Sequence, residues 1–332
     1  MSATAGEAAV RSAKRSLMGR YLTGASASVA AFALPGPGPT DNVVGLGVGE
    51  KVPLNRLTGA LAVKVYVRRK YPEADIAPGD RIPDQIDGVP TDIEEVGTIQ
   101  ALTGGCTVAR RQRQRPAPCG ISVGHLQITA GTIGAVVRDS GATDNGRRYI
   151  LSNNHVLADA NAAQVGDAIW QPGPFDGGTA ADQIATLTRA VSLNFAGGDN
   201  HADAAIAEIA PGTVLDEICA IGPLAGKVTP TRNVTVLKHG RTTGLTRGVI
   251  TDVDADIRVD YREAGVALFV NTVLIRGLPP TTPFSAGGDS GALIVDAGQR
   301  ACALLFAGSS TTDVTFANPL GTVLRRLRIR LL

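Results

Sequence analysis

From about Cys119 onward the chain is a succession of short apolar runs, each soon broken by Gly, Asp or Asn. Many short strands at close spacing indicate a barrel or a sandwich. The runs form two sets. Residues 128–139, 148–154, 168–171, 183–191 and 203–209 make the first. Residues 234–240, 248–261, 266–275, 291–296, 301–308 and 313–317 make the second. Each set is about the size of one six-stranded antiparallel β-barrel. Aromatic residues are only 4% while glycines number 40, which suits small side chains on strands joined by tight turns. In the closing stretch NPLGTVLRRLRIRLL, Asn318 as N-cap and Pro319 at the first helical position predict a terminal helix over 318–330.

The first third reads differently. Residues 5–22 have helical composition, and PGPGP from Pro35 to Pro39 rules out its continuation. VVGLGVG (43–49) and ALAVKVYV (60–67) read as strands, followed by a Pro- and Asp-rich connection (72–91) and DIEEVGTI (92–99). This predicts a small α/β unit. GLGVGE superficially evokes a phosphate loop, but it lacks the helix opening and the Lys-Ser/Thr such loops need, and reads as a turn or bulge. The expected organisation is a helix and Pro/Gly linker over 1–40, then a small α/β domain with an Arg-rich linker over 41–118. A mainly β domain over 119–332 follows, with barrel one at about 122–222 and barrel two at about 233–317.

Charge and cysteine content exclude several classes. The net charge of +2 gives no field that would draw nucleic acid or an acidic membrane surface. Arg110, Arg111, Arg113 and Arg115, and the cluster from Arg325 to Arg330, read as a solvated loop and a solvated helix face. The cysteines at 106, 119, 219 and 302 show no CxxC spacing, and with 4 histidines in the chain neither a metal site nor any cofactor is expected. Cys106 and Cys119 flank the Arg-rich loop and could pair in an oxidising compartment, whereas Cys219 and Cys302 read as small buried hydrophobes. Arg11, Lys14, Arg15 and Arg20 lead into the stretch Leu22 to Leu34, which is polar for a signal core, so a cytoplasmic location is favoured over a secreted or periplasmic one. No apolar run reaches the ~18–20 residues of a spanning helix.

Three segments carry chemistry. GGDSGAL (287–293) offers a serine in a Gly-permitted turn, where Oγ and the amides of Gly288 and Ser290 can face one carbonyl. In YILSNNHVLA (149–158) an apolar strand runs into a polar turn, so His155 stands on a rigid support yet reaches outward as a general base. In HADAAIAEI (201–209), Asp203 opens a strand, where a partly buried carboxylate can orient an imidazole. Asp199 and Asp182 compete for that role, but Asp203 has the cleaner strand-entrance context.

His155, Asp203 and Ser290 in that order resemble the trypsin-like, chymotrypsin-fold serine peptidases. SNNHVL and FANPLGTVLRRL look most like the bacterial HtrA/Deg branch. KHGRTTGLTRGVI (238–250) resembles the opening of the second barrel in bacterial and narrow-leaf type plant relatives. The resemblance covers about residues 122–330. It departs from the family in lacking a cysteine beside His155 and a PDZ-like extension, and residues 1–118 match no part of the family.

The resemblance implies two chymotrypsin-like barrels with a catalytic cleft between them, acting on a protein or peptide substrate. Ser290 is then the nucleophile, His155 the base and Asp203 its orienting carboxylate, with Gly288 and Ser290 amides as the oxyanion hole. The base must start neutral, so activity should fade as pH drops through about 6 to 7. Phe284 stands where the trypsin branch carries an acidic residue, and Phe284, Ser285, Phe306, Ala307, Gly308 and Ser309 are the expected pocket residues. All are uncharged, which points to cleavage after small or medium apolar residues. Cleavage in the Arg110–Arg115 linker could free a new N-terminus near Ile121 to reach Asp289. The alternative reading is a catalytically silent barrel used as a binding scaffold, with the N-terminal unit recruiting a protein partner. An α/β-hydrolase is disfavoured because its histidine follows its serine, whereas every histidine here precedes Ser290.

Overall fold

The computed structural model describes residues 6–22, 42–51, 60–96, 108–128, 130–141, 144, 146–279, 283–309 and 312–332. The Pro35–Pro39 stretch, residues 23–34 of the leader-like segment and Cys106 lie outside the described residues. The chain divides into two compact units, Met1–Ala101 and Leu102–Leu332.

In the first unit, helix α1 (Glu7–Tyr21) buries Val10, Ala13, Leu17 and Tyr21. Steps of three and four residues put these side chains on one face. They pack on Val43, Val63, Val65, Val67 and Val89. Those valines come from a sheet of β1 (Val43–Glu50), β2 (Leu61–Val67), β3 (Gln85–Ile86) and β4 (Val89–Glu95), in the order β1-β2-β4-β3. The helix therefore belongs to the α/β unit rather than standing apart from it. GLGVGE is the body of β1, with its irregularity between Val43 and Gly45, and the Tyr66 ring lies over Gly45 and Gly47. The glycines there make room for an aromatic ring and do not form a phosphate loop.

The second unit begins with β5 (Ala117–Cys119), β6 (Ser122–His125), β7 (Gly131–Thr132), β8 (Ala135–Asp139) and β9 (Tyr149–Ser152). The short helix α2 (Asn154–Leu157) follows, then β10 (Ala168–Trp170), β11 (Gln183–Ala190), β12 (Asp199–Asn200), β13 (Ala205–Ile209) and β14 (Val214–Ile218). Next come β15 (Thr235–Gly240), β16 (Gly244–Asp260), β17 (Val266–Gly277), β18 (Leu293–Asp296), β19 (Ala301–Gly308) and β20 (Thr315–Pro319). Helix α3 (Leu320–Leu327) and β21 (Ile329–Leu331) end the chain.

Two closed antiparallel circuits result. In the first, β6 pairs with β10, β10 with β11, β11 with β13, β13 with β9, and β9 with β8. β7, separated from β8 by two residues, pairs back to β6 and closes the ring. In the second, β15 pairs with β16, β16 with β17, β17 with β20, β20 with β19, β19 with β18, and β18 with β15. The mainly β architecture of two six-stranded barrels expected from the strand texture is thus present. Closure removes the free edges that isolated sheets of such short strands would expose. Barrel one buries Ile121, Val123, Ile150, Leu151, Ile169 and Ile206, and barrel two buries Val236, Ile250, Val273, Phe284 and Ile294. Among the described residues no helix is long and apolar enough to cross a membrane.

Several local expectations are corrected. The terminal helix runs only over α3, burying Leu320, Val323, Leu324 and Leu327, and Arg328 ends it in a left-handed conformation (φ 53). The next three residues form β21 and pair with β8. Asn318 is no cap; it ends up inside the barrel pair, bonded to Asp203. The later arginines are exposed as expected, and so are Arg111 and Arg113 of the earlier cluster, but Arg110 and Arg115 are half-buried. Arg110 donates to the carbonyls of Arg241 and Thr242, and Arg113 pairs with Asp182. Arg115 donates to Gln171 and to the Asp182 carbonyl. Cys119 is free and buried, so it does not pair with Cys106, whereas Cys219 is disulfide-bonded. Cys302 is free, and burial pushes its thiol up to about 12, which leaves it an inert core group.

Gly134 shows how closely the barrels approach. A β-carbon there would stand 2.5 Å from the Gly291 carbonyl oxygen and 2.9 Å from that of Leu151. Neither backbone can yield cheaply. Gly134→Ala should therefore destabilise the protein by about 1–3 kcal/mol, the usual cost of overpacking, seen as a lower urea midpoint with an unchanged slope.

Candidate active site

Strand β9 is buried along its whole length and stops at the buried Asn153. Val156 and Leu157 then draw α2 onto barrel one, while the His155 side chain keeps 25% of its surface exposed. The register supplies its partner. Ala205 of β13 pairs antiparallel with Ser152 of β9, so the residues just before Ala205 meet those just after Ser152. Asp203 is one of them, and it has no exposed surface.

Its carboxylate is saturated with donors. His155 Nδ1 lies 2.5 Å from Oδ2, the Tyr261 hydroxyl donates to the same oxygen at 2.7 Å, and the His155 amide reaches Oδ1 at 3.3 Å. The Asp203 backbone is clamped as well. Its carbonyl accepts from Asn153 Nδ2 at 2.7 Å, and its N–H donates to Asn318 Oδ1 at 2.9 Å. Neither Asp199 nor Asp182 is bonded to His155, and Asp182 instead pairs with Arg113.

Ser290 sits half-buried on the turn before β18 and lines the same cleft as His155. No hydrogen bond joins Ser290 Oγ to the imidazole or to any other described residue. The turn requires glycine at 288, where φ is +94 and an added β-carbon would strike Thr242 Oγ1 at 2.7 Å. Its carbonyls are fastened in order. Gly287 O accepts from Thr242 Oγ1 at 2.6 Å, Gly288 O from Thr132 Oγ1 at 2.9 Å, and Asp289 O from the Ala292 amide at 2.9 Å. A trans peptide points its N–H opposite to its carbonyl. The Gly288 and Ser290 amides are thereby held away from these contacts, and neither has an acceptor among the described residues.

Asp289 anchors the turn and is completely buried. Oδ1 accepts from the Thr242 amide at 2.7 Å, and Oδ2 accepts from Thr243 Oγ1 at 2.7 Å and the Ala286 amide at 3.0 Å. The equally buried Lys238 Nζ stands 3.4 Å away and supplies the countercharge. Burial lowers the Lys238 pKa to about 8, with Asp289 opposing that fall. The carboxylate is satisfied from within barrel two, and Ile121 is itself fully buried. A freed N-terminus therefore has no empty position to fill.

Barrel one holds the same turn from the other side. The Thr132 amide donates to Ser290 O at 2.8 Å, and its hydroxyl bridges the Arg241 amide and Gly288 O. The Arg241 guanidinium forms a bidentate pair with Asp176, and Ser122 Oγ also donates to that carboxylate. Burial works to raise the Asp176 pKa, but Arg241 and Ser122 together hold it below the usual carboxylate range. Thr132, Lys238, Arg241, Thr242 and Asn153 were not singled out from sequence, and Asn318 was read only as a helix cap. Their only signal was that they fall inside the quoted segments SNNHVL, KHGRTTG and FANP, save Thr132, which lay in an unremarkable strand.

The cleft measures about 1010 Å³. Ser285, Phe306, Ala307, Gly308 and Ser309 line it, but Phe284 does not. Its ring is fully buried in the barrel-two core, with Lys238 Nζ over it at 5.7 Å. Asp313, which the sequence reading passed over, does line the cleft. Its two oxygens accept from the amides of Gly277 (2.7 Å) and Phe284 (2.9 Å). Among the described residues no three metal-ligating side chains cluster.

No family model matches the chain, and no curated protein matches it. Among solved structures it is similar to Thermobifida fusca Protease A, at 16% identity and a TM-score of 0.47 over 65% of this chain and 99% of that one. It is similar to Cellulomonas bogoriensis chymotrypsin at 18% identity and a TM-score of 0.46, over 65% and 98% of the two chains. A Nocardiopsis protease matches at 17% identity and 0.47, over 65% and 99%.

The Lys238–Asp289 pair yields a stability test. Removing one member of a buried pair strands the other charge, at a cost of about 3–5 kcal/mol. Lys238→Met should lower the unfolding free energy by that amount in guanidinium titrations, far more than an exposed lysine would.

Proposed function

We propose that the chain is a trypsin-like serine endopeptidase, with the HtrA/Deg branch and the narrow-leaf type plant peptidases as its nearest kind by motif. The observation that carries this reading is the 2.5 Å bond between His155 and the fully buried Asp203, with Ser290 on the wall of the same cleft. A buried carboxylate bonded to an imidazole nitrogen fixes the tautomer and stabilises the cation that forms when the other nitrogen accepts a proton. Catalytic hydrogen bonds in an empty site are often long and tighten when substrate binds. The reading requires Ser290 Oγ and the free imidazole nitrogen of His155 to come within hydrogen-bond reach when substrate binds.

In the proposed reaction Ser290 Oγ attacks the scissile carbonyl and His155 takes its proton. The oxyanion meets the Gly288 and Ser290 amides, whose lack of internal acceptors supports that role. His155 returns the proton to the leaving amine, and the C–N bond breaks to give the acyl-enzyme. Water, deprotonated by His155, releases the carboxylic acid and restores Ser290. The cleft walls at Ser285, Phe306, Ala307, Gly308 and Ser309 are uncharged, which favours small or medium apolar residues before the scissile bond. Asp313 has both oxygens engaged by backbone amides and serves as an anchor for that wall.

A fluorophosphonate probe should label the wild type at Ser290 and fail to label Ser290→Ala, whereas absence of labelling in both would leave a silent scaffold. Asp203→Asn should lower kcat by about 10⁴-fold. A peptide library should return small or medium apolar residues at the cleaved position; dominance of Arg or Lys would refute this and hand the pocket to Asp313. A pH effect follows from Lys238. Its folded pKa of about 8 lies below the ordinary lysine value of 10.5, so Lys238 loses its charge, and Asp289 its counterion, as pH rises through about 8. Activity should fall on that alkaline side and should not do so in Lys238→Arg. Global stability should not fall with it: between those two values the unfolded chain binds more protons, so this group's contribution rises with pH.

A further inference from the structure

Asp203 has a side-chain donor outside the histidine–aspartate–serine set. The Tyr261 hydroxyl donates to Oδ2 at 2.7 Å, the same oxygen that lies 2.5 Å from His155 Nδ1. Tyr261 directly follows β16, at the turn of the long β16–β17 hairpin, and its ring is a wall of the cleft. Three aromatic neighbours fix that ring. It meets His155 edge-on at 5.8 Å and Phe195 edge-on at 5.6 Å, and it stacks on Phe269 at 6.1 Å.

The remaining bonds around Asp203 do not do the same job. Asn153 and Asn318 hold its backbone, and the His155 amide touches the other oxygen at 3.3 Å. Without the phenol, Oδ2 would be held only by the imidazole that it has to orient. A carboxylate so held can turn about its own Cβ–Cγ bond, because the imidazole turns with it.

We propose that Tyr261 is a positioning residue, whose hydroxyl pins the Asp203 carboxylate in the orientation His155 needs, so that the hairpin walling the cleft also sets the geometry of the base. The proposal rests on the peptidase reading above. Burial first, and then the neighbouring Asp203 charge, push the phenol far above its ordinary range, so it remains a donor wherever the protein is folded.

Tyr261→Phe keeps the ring and its three contacts and removes only the hydroxyl. The loss of one hydrogen bond to a charged group should lower kcat by about ten- to a hundredfold, with KM for a peptide substrate within about twofold of wild type. In proton NMR of the substrate-free protein, the His155 Nδ1–H resonance should move upfield and exchange faster with water. Tyr261→Ala, which also removes the wall, should raise KM in addition. An unchanged kcat with that resonance unmoved overturns the proposal. So does a fall in kcat without movement of the resonance, because the effect then arises elsewhere. Should the wild type neither turn over peptides nor react with a fluorophosphonate, the peptidase reading fails, while the NMR comparison still decides whether Tyr261 holds Asp203.

Discussion

Two carboxylates in the second unit, Asp203 and Asp289, have no exposed surface, and an ionised carboxylate removed from water is tolerable only when donors surround it. That requirement organises the centre of the second unit. Asp203 draws in His155 and Tyr261 through its oxygens, and Asn153 and Asn318 through its backbone. Asp289 draws in Thr242, Thr243, Ala286 and Lys238. The donors come from strands and turns far apart in sequence, so satisfying two buried charges also fixes the order in which those elements meet. A serine, an imidazole and two idle backbone amides are left at the surface of this arrangement.

The fold was legible because its signal is local. Short apolar runs separated by Gly, Asp and Asn have few architectures open to them, and the two closed circuits of β6–β13 and β15–β20 follow that pattern. His155, Asp203 and Ser290 stood out as candidates because each borders an apolar run, where a polar residue contrasts with its neighbours. The other half of the site did not. Tyr261, Thr132 and Asp313 act through contacts that span tens of residues, and nothing in their own segments distinguishes them from ordinary strand residues. Asn318 is the sharpest case. Followed by proline and a helix it has the local features of a cap, yet its side chain is taken by the Asp203 amide, and long-range satisfaction of a buried polar group outweighs local propensity.

Phe284, Arg110 and Arg115 depart from expectation for related reasons. Position relative to the serine put Phe284 in the pocket, but a large apolar ring gains more from the barrel-two core than from an open cleft. A run of arginines looks solvated in isolation, but guanidinium groups can satisfy several carbonyls at once. Arg110 and Arg115 do so at the start of the second unit, knitting the segment before β5 onto both barrels.

The double hold of Thr132 on the Ser290 turn has a consequence for the life of such a molecule. Thr132 belongs to the first barrel and grips both Gly288 and Ser290 in the second. Any molecule whose barrels begin to part must release that grip at the outset, while most of each barrel is still intact. Under the peptidase reading damage and disarmament then coincide: a copy loose enough to be digested would already have lost the means to cut its neighbours.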